Sequence, residues 1–281
     1  MEEIISSLRP GTVVVLGIPS DVNSSYARGA SDAPARIRQI LVSGSTNYCC
    51  EDGTDLEGDP RFRDIGDIEL GPVADFHSQV EETLAALLDR GARVLTLGGD
   101  HAVTVPVLRA YHKKYEDLSI LHLDAHPDLY DEYGGSRSSH ACTFARVMEE
   151  GLATRLVQVG IRAGTPHQSE QAKRFGVETI EMRDWWPGRS MDLRGPVYVS
   201  LDMDVLDPGF APGVSHPEPG GPSSRDVLGL IRSIKAPVVG ADVVELNPGR
   251  DSSDVTAMAA VKFMKELACR MLAGWPAAST G

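Results

Sequence analysis

The chain has 281 residues, 42% of them hydrophobic and 24% charged, and a formal net charge of −13. Such a composition belongs to a soluble globular chain that fills one large α/β domain or two small ones. The acidic balance argues against a nucleic-acid binder, which needs a basic face, and it suits cationic small molecules as well as plain solubility.

The opening MEEIISSLRPG is acidic and lacks a charged stretch followed by a long apolar one. No signal peptide and no bilayer span are therefore expected, and the expected location is the cytoplasm. Apolar, β-rich runs then recur along the chain: Val13 to Ile18, Arg61 to Gly66 (the weakest), Val94 to Gly99, Ile120 to Ala125, Leu156 to Ile161, Val177 to Ile180, Val197 to Asp202 and Val238 to Val244. Amphipathic segments lie between most of them, at Val80 to Asp89, Val103 to Tyr115, Phe144 to Glu150, Ser224 to Ile234 and Thr256 to Met271. Strands alternating with helices predict a parallel sheet covered on both faces. The Pro- and Gly-rich stretch from Leu206 to Pro222 is a long loop, and loops of that length inside a compact domain usually serve function. There is no internal repeat and no linker, so one domain over residues 1–281 is expected. Cys49, Cys50, Cys142 and Cys269 show no CxxC spacing and read as reduced thiols.

The chemistry collects where strands stop. SILHLDAHPDLY runs from an apolar strand into Asp124, His126 and Asp128; SLDMDVLDP places Asp202 and Asp204 two apart; LGGDHAV supplies Asp100 and His101. Residues two apart share a face if the chain stays extended beyond the sheet, and ligands of open parallel sheets bind at the carboxyl ends of strands. Taken singly, Asp100 and Asp207 read as cap or turn residues, and His77, His112 and His122 as packing or surface histidines. Taken together, Asp124, Asp128, Asp202 and Asp204 could not share a buried cleft without cations. An oxygen-rich set with two imidazoles suits manganese best and leaves nickel, iron, cobalt and zinc open. Two ions about 3.5 Å apart are the usual form of such a site. No GxxxxGK[ST], GxGxxG or GxSxG motif is present.

LGGDHAV, HLDAHPD, SLDMDVLDP and ADVVELNP, in this order and at these separations, resemble the signature motifs of the ureohydrolase superfamily of arginases and agmatinases. The likeness runs from LGIPSDVNSSYARGASDAPARIR onward, and SGSTN with DPGFAPGVSHPEPGG is most similar to the plant-type arginase branch. The resemblance implies a three-layer α/β/α fold around an eight-stranded parallel sheet, a binuclear manganese centre, and hydrolysis of a guanidino compound to urea and an amine. By the same likeness, His101, Asp124, Asp128 and Asp202 hold one manganese; His126 and Asp204 hold the other with Asp124 and Asp202 as bridges. Glu245 matches the glutamate that grips the guanidinium, His140 the proton-shuttling histidine, and Asp128 the proton carrier at the departing amine. Ala102 stands where the family usually has Ser, which puts the outer support of His101 in question.

The substrate tail is left to the loops. Arg137 and His167 are expected at the pocket mouth, where a basic group would favour a carboxylate-bearing tail such as that of arginine or guanidinobutyrate over agmatine. The resemblance also implies a homo-oligomer, trimer or hexamer, with no nucleic-acid or membrane partner. A zinc deacetylase shares the architecture, but it uses one metal and needs neither the Asp202/Asp204 pair nor Glu245. A non-catalytic relative would be expected to have lost ligands.

Overall fold

The computed structural model describes residues 1–189 and 191–273. The expected domain of residues 1–281 thus extends into 274–281, which lie outside the described residues. Eight strands form one all-parallel sheet: β1 (Val13–Ile18), β2 (Phe62–Asp67), β3 (Arg93–Gly98), β4 (Ser119–Leu123), β5 (Arg155–Ile161), β6 (Glu178–Glu181), β7 (Val197–Asp202) and β8 (Val238–Val244). Each lies within a residue or two of its expected run. Their spatial order is β2-β1-β3-β8-β7-β4-β5-β6. The chain builds outward through β4, β5 and β6, then returns to insert β7 and β8 between β3 and β4. The four central strands β3, β8, β7 and β4 consequently lie side by side with their carboxyl ends together.

The helices are α1 (Glu2–Ser7), α2 (Ala33–Leu41), α3 (Phe76–Asp89), α4 (Thr104–His112), α5 (Thr143–Glu149), α6 (Pro166–Phe175), α7 (Ser224–Ser233) and α8 (Val255–Ala273). Alternation along the strands assigns the faces. Val13 and Val15 join Ile37, Ile231 and Phe263 in one core, while Val14 and Leu16 join Leu84, Leu108 and Phe144 in the other. Helices α2, α7 and α8 therefore cover one face of the sheet and α3, α4 and α5 cover the opposite one, the expected three layers. Both edge strands, β2 and β6, are partly exposed.

Two helices of some length went unmarked in the sequence. In α2, Pro34 opens the first turn and Ile37, Ile40 and Leu41 are buried, a short helical pattern in a nine-residue element. Helix α6 is polar, with Thr165 capping its start and Gly176 in the left-handed conformation at its end, so its signals were caps rather than periodicity.

Close backbone approach at the top of the sheet positions the site. A Cβ on Gly99 would lie 1.8 Å from the carbonyl oxygen of Ser20, because the chain leaving β1 crosses directly over the end of β3. The Gly99 carbonyl in turn accepts from the Glu245 amide at 2.9 Å. Gly99→Ala is expected to lower stability by about 3 kcal/mol, the upper range for overpacking, because the clash is with backbone and not with a movable side chain. Urea unfolding measures it, and a loss below about 0.5 kcal/mol would mean that the two segments separate freely.

Candidate metal centre

Beyond Asp124 and Asp202 the chain does not stay extended. The Asp124 carboxylate accepts the amide of His126 at 2.6 Å, and Asp202 accepts the amide of Asp204 at 2.8 Å. Each pair is an Asx turn that folds the chain back at the strand end, so the expectation of an extended run is corrected while its consequence, convergence, holds. The two turns interlock, since the Ala125 amide donates to Asp204 at 3.1 Å. Asp128 follows in the left-handed region, φ 50°, with its carbonyl accepting from the Phe144 and Ala145 amides.

Around this frame the six expected ligands come together. His101 Nδ1 lies 3.2 Å from a carboxylate oxygen of each of Asp124, Asp128 and Asp202. His126 Nδ1 lies 3.0 Å from Asp204 and 3.5 Å from Asp124. His101 and the four aspartates are buried, and His126 is partly exposed toward a cavity of about 150 Å³.

Hydrogen bonds fix which imidazole nitrogen faces the cluster. Ser200 has one hydroxyl proton and gives it to Asp242 at 2.7 Å, so at 2.9 Å its oxygen accepts Nε2–H of His101. Nδ1 is left buried without a hydrogen-bond donor and with its lone pair toward the carboxylates. Asp242 also accepts from Thr104, Tyr198 and the Leu201 amide, so it is a rigid anchor. Support for His101 thus comes through Ser200, and the hydroxyl absent at Ala102 is not needed. His122 is fixed likewise. The Gln158 amide nitrogen donates to the Pro127 carbonyl and to His122 Nδ1, which leaves Nε2–H of His122 to donate to Asp124 at 2.7 Å. Burial keeps this imidazole neutral by lowering its pKa. Asp100 caps the turn at His101–Val103, as expected, and its other oxygen holds the Asn23 amide at 2.8 Å.

Electrostatics show what the cluster lacks. Burial raises Asp202 and Asp204, and their carboxylate neighbours raise them further, Asp204 to about 6. Burial opposes charge on His101 and His126, yet the carboxylates outweigh it, lifting His101 well above its ordinary value and His126 to about 12. The histidines are drawn to hold protons where a cation belongs. An orphaned Nδ1 facing three carboxylates is the donor set of a divalent cation, so the residues fit a binuclear centre.

Glu245, at φ 66°, ends β8 beside this cluster. Its Oε1 accepts the His101 amide at 2.8 Å and meets His140 Nδ1 at 2.7 Å, while Oε2 is buried with no partner. Two effects compete at His140. Burial disfavours its charge and Glu245 favours it, for a value of about 9, but the Ser25 amide donates to Nε2 at 3.1 Å. A proton on Nε2 would face that amide proton, so the geometry selects a neutral ring with Nδ1–H on Glu245.

The cavity is walled by Ser25, Tyr130, Tyr133, Gln168 and His216 above Asp128, His140 and Glu245. An outer hollow of about 440 Å³ continues through Tyr26, Ser215 and Glu218. His216 and Glu218 come from the long loop, which is pinned by Asn247 to Gly213 and by Ser215 to Ala27. The sequence marked this loop but not these two residues. Arg137 is not brought to the cavity: it pairs with Asp131 and Glu149, and it lines a separate hollow with Arg109 and Arg146. Exposed His167 stacks on Tyr130 and accepts the Asp131 amide, outside the lining.

Paired histidines and aspartates at the ends of adjacent parallel strands, under a covered sheet, define a binuclear metallohydrolase. Residues 11–269 match the Arginase family. The chain is 46% identical over 276 residues to "Arginase 1, mitochondrial" of Arabidopsis thaliana, spanning 92% of this chain and 80% of that one. It is 39% identical over 277 residues to the agmatinase of Bacillus anthracis, spanning 96% and 93%. The solved arginase of Medicago truncatula superposes with a TM-score of 0.86 at 41% identity, covering 96% of this chain and 91% of that one. The chain belongs to the arginase family, and it is a ureohydrolase acting on the C–N bond of a guanidino group.

Ser200→Ala is expected to weaken metal affinity about 10- to 100-fold with the fold retained, since His101 loses the acceptor that orients it. Equilibrium metal loading decides; unchanged affinity would leave the Ser200 link without a role. The metal-free chain has a second signature. Asp100, raised to about 7 by burial and then by Glu245, and Asp204, at about 6, both exceed the usual unfolded value of about 3.9. The folded chain therefore holds protons that the unfolded chain has released, and stability falls as pH rises from about 4 to 7. Raised His101 and His126 act in the same direction above their ordinary value, whereas lowered His77, His122 and His216 oppose. Chelated protein is expected to melt on the order of 5 °C higher at pH 5.5 than at pH 8. Metal-loaded protein is expected to show the reverse slope, because its ligands must be deprotonated. Thermal scans at both values, with and without chelator, test it, and a chelated chain more stable at pH 8 would refute the proton-holding cluster.

Proposed function

We propose that the chain is a manganese-dependent arginase, converting L-arginine to ornithine and urea, and that it works in the cytoplasm as one domain over residues 1–281 in a homo-oligomer, trimer or hexamer. The observation that carries the reading is the juxtaposition of the six ligands with the unpartnered Oε2 of Glu245 at the floor of one cavity. His101, Asp124, Asp128 and Asp202 would hold one ion and His126 with Asp204 the other, Asp124 and Asp202 bridging. When bound, two such cations neutralise the carboxylates and lower the pKa of a shared water, so that a nucleophile exists near neutral pH.

The remaining chemistry belongs to the chain. Glu245 Oε2 is the free acceptor for guanidinium N–H groups, and its position over the cluster orients the guanidino carbon. An amine leaves poorly as an anion, so it must gain a proton as the C–N bond breaks. Asp128 lines the cavity floor, which supports it as the group that delivers that proton. His140, bonded to Glu245 on one side and to the Ser25 hydroxyl at 2.8 Å on the other, links the floor to the outer wall and exchanges protons with solvent.

Greater identity to the plant arginases than to the agmatinases supports arginine as substrate. A specific observation favours agmatine as the second reading. The outer hollow carries the carboxylate of Glu218 and no arginine or lysine among its described residues, and Glu218 is in no ion pair among them. Arg162 holds the Glu218 carbonyl and lies close enough to share its field, yet it is engaged by five backbone carbonyls. The mouth thus suits an ammonium, which arginine and agmatine both carry and 4-guanidinobutyrate lacks, and its acidity favours agmatine because that tail has no carboxylate beside Glu218.

Urea release with arginine, agmatine and 4-guanidinobutyrate tests both points. Arginine is expected to have the highest kcat/KM; agmatine in first place would replace arginase by agmatinase. Glu218→Gln is expected to raise KM for the two ammonium-bearing compounds about two- to fivefold with kcat unchanged, the pattern of lost uniform binding, and to spare 4-guanidinobutyrate. Equal effects on all three would remove Glu218 from tail recognition.

A further inference from the structure

Outside the catalytic cavity, the segment from Thr46 to Leu56 wraps over helix α8 and brings two cysteines into one seam. The Lys265 ammonium donates to the Asn47 carbonyl at 2.6 Å, and the Glu51 amide donates to Glu266 at 2.8 Å, so both flanks of the segment are tied to the helix. Between these ties, the Cys50 thiol donates to the Lys265 carbonyl at 3.4 Å. Cys269 stands one helical turn beyond Lys265 on the same face. Its thiol returns to the segment, donating to the Asp52 carboxylate at 3.0 Å and approaching the Thr54 hydroxyl at 3.8 Å. Cys50 is held in turn by its amide bond to the Thr54 carbonyl at 2.8 Å. Each sulfur thus bonds to the element that carries the other cysteine, and both lie in the one seam between the segment and α8. Both residues are 6% exposed, whereas neighbouring Cys49 faces solvent.

Buried free thiols usually act as small apolar groups, and a single one would carry no further meaning. Two in one buried seam, each bonded to the element that carries the other and 219 positions apart in sequence, can close a covalent bridge. We infer that Cys50 and Cys269 form a reversible oxidation site, in which a small hydroperoxide converts the thiol pair to a disulfide that clamps the 46–56 segment onto α8.

The step balances with the hydroperoxide as the only added reactant. The Cys269 sulfur attacks one peroxide oxygen; the S–O bond forms as the O–O bond breaks, and the Cys269 proton passes by way of Asp52 to the departing hydroxide, giving water. The Cys50 sulfur then attacks the Cys269 sulfur; the S–S bond forms as the S–O bond breaks, and the second hydroxide takes the Cys50 proton. Two thiols are oxidised and one hydrogen peroxide is reduced to two waters, an organic hydroperoxide giving one water and one alcohol instead. The wide sequence separation makes the closed loop long, so the bridge constrains the unfolded chain strongly and raises thermal stability.

The experiment uses the metal-loaded full chain carrying Cys49→Ser, which removes the exposed thiol and its intermolecular reactions. Brief treatment with hydrogen peroxide, followed by denaturation and alkylation, is expected to lower the count of alkylatable thiols from three to one. A cross-linked peptide should join Cys50 to Cys269, the melting temperature should rise, and dithiothreitol should restore all three thiols. With Cys50→Ser added, the remaining two thiols should persist through the same treatment. A count that stays at three, or a loss that dithiothreitol does not reverse, overturns the proposal, and so does a loss that continues without Cys50. Peptide mapping on the Cys49→Ser chain alone decides the matter if the double variant fails to fold.

Discussion

Four carboxylates, Asp124, Asp128, Asp202 and Asp204, are buried within reach of one another, and much of the upper sheet is arranged to tolerate them. Like charges in a low-dielectric cleft repel by several kcal/mol each unless compensated. The chain compensates only in part. Amides of Ala125, His126 and Asp204 donate into the cluster, His122 adds one neutral N–H, and two imidazoles supply lone pairs that become useful only when a cation lies between them. The cluster is therefore a site whose occupancy and whose stability are the same question, because a cation that binds the folded state alone stabilises it by mass action.

That constraint explains the strand order. Inserting β7 and β8 between β3 and β4 gathers the ends of four adjacent strands, and each delivers one part: β3 the His101 turn, β8 Glu245, β7 the Asp202 and Asp204 pair, β4 the Asp124 to Asp128 run. The parts are then locked from below. Asp242, on β8, fixes Ser200 on β7, and Ser200 fixes His101 after β3, so three strands share one hydrogen-bonded line. Preorganisation of this kind keeps reorganisation small when a charged substrate arrives. Strain is stored here as well: the left-handed backbones of Asp128 and Glu245 each cost of order 1 kcal/mol, which the surrounding bonds offset.

The layered fold and the convergence of the six side chains were legible in the sequence for a definite reason. Both are written in local periodicity: apolar runs for the strands, and carboxylates two apart for the Asx turns, even though the turn rather than an extended strand proved to be the geometric cause. What lay outside local pattern was missed or misplaced. Helix α6 carries its signals in its caps, His122 became a supporting residue only through Gln158 on β5, and His216 and Glu218 reach the mouth only because Asn247 and Ser215 pin a loop from a distance. Arg137 is the converse case. Its place beside the His140 loop suggested the pocket, yet Asp131 and Glu149 lie nearer and take up its charge. Sequence gives a side chain's neighbours along the chain, and an arginine is positioned by the nearest carboxylates in space.

The contrast between floor and mouth has a consequence for how such an enzyme chooses its substrate. Groups that meet the guanidino end are held by strand ends and by buried hydrogen bonds shared among several elements, so a change there disturbs the metal set and the fold together. Glu218, His216 and Tyr133 at the mouth stand on loops, and the Glu218 carbonyl is tied through Arg162 to the backbone, not the carboxylate, of Asp204. The Glu218 carboxylate is in no ion pair among the described residues, so a substitution there can alter charge by one unit and leave the six clustered side chains in place. Arginine and agmatine differ only in a carboxylate at that end, and a partly screened ion pair there is worth no more than about 1 kcal/mol. That amount is enough to reorder two substrates by a factor of about five, and far too little to affect whether the chain folds. Selectivity in this architecture is therefore a property of the loops resting on a floor that must stay fixed.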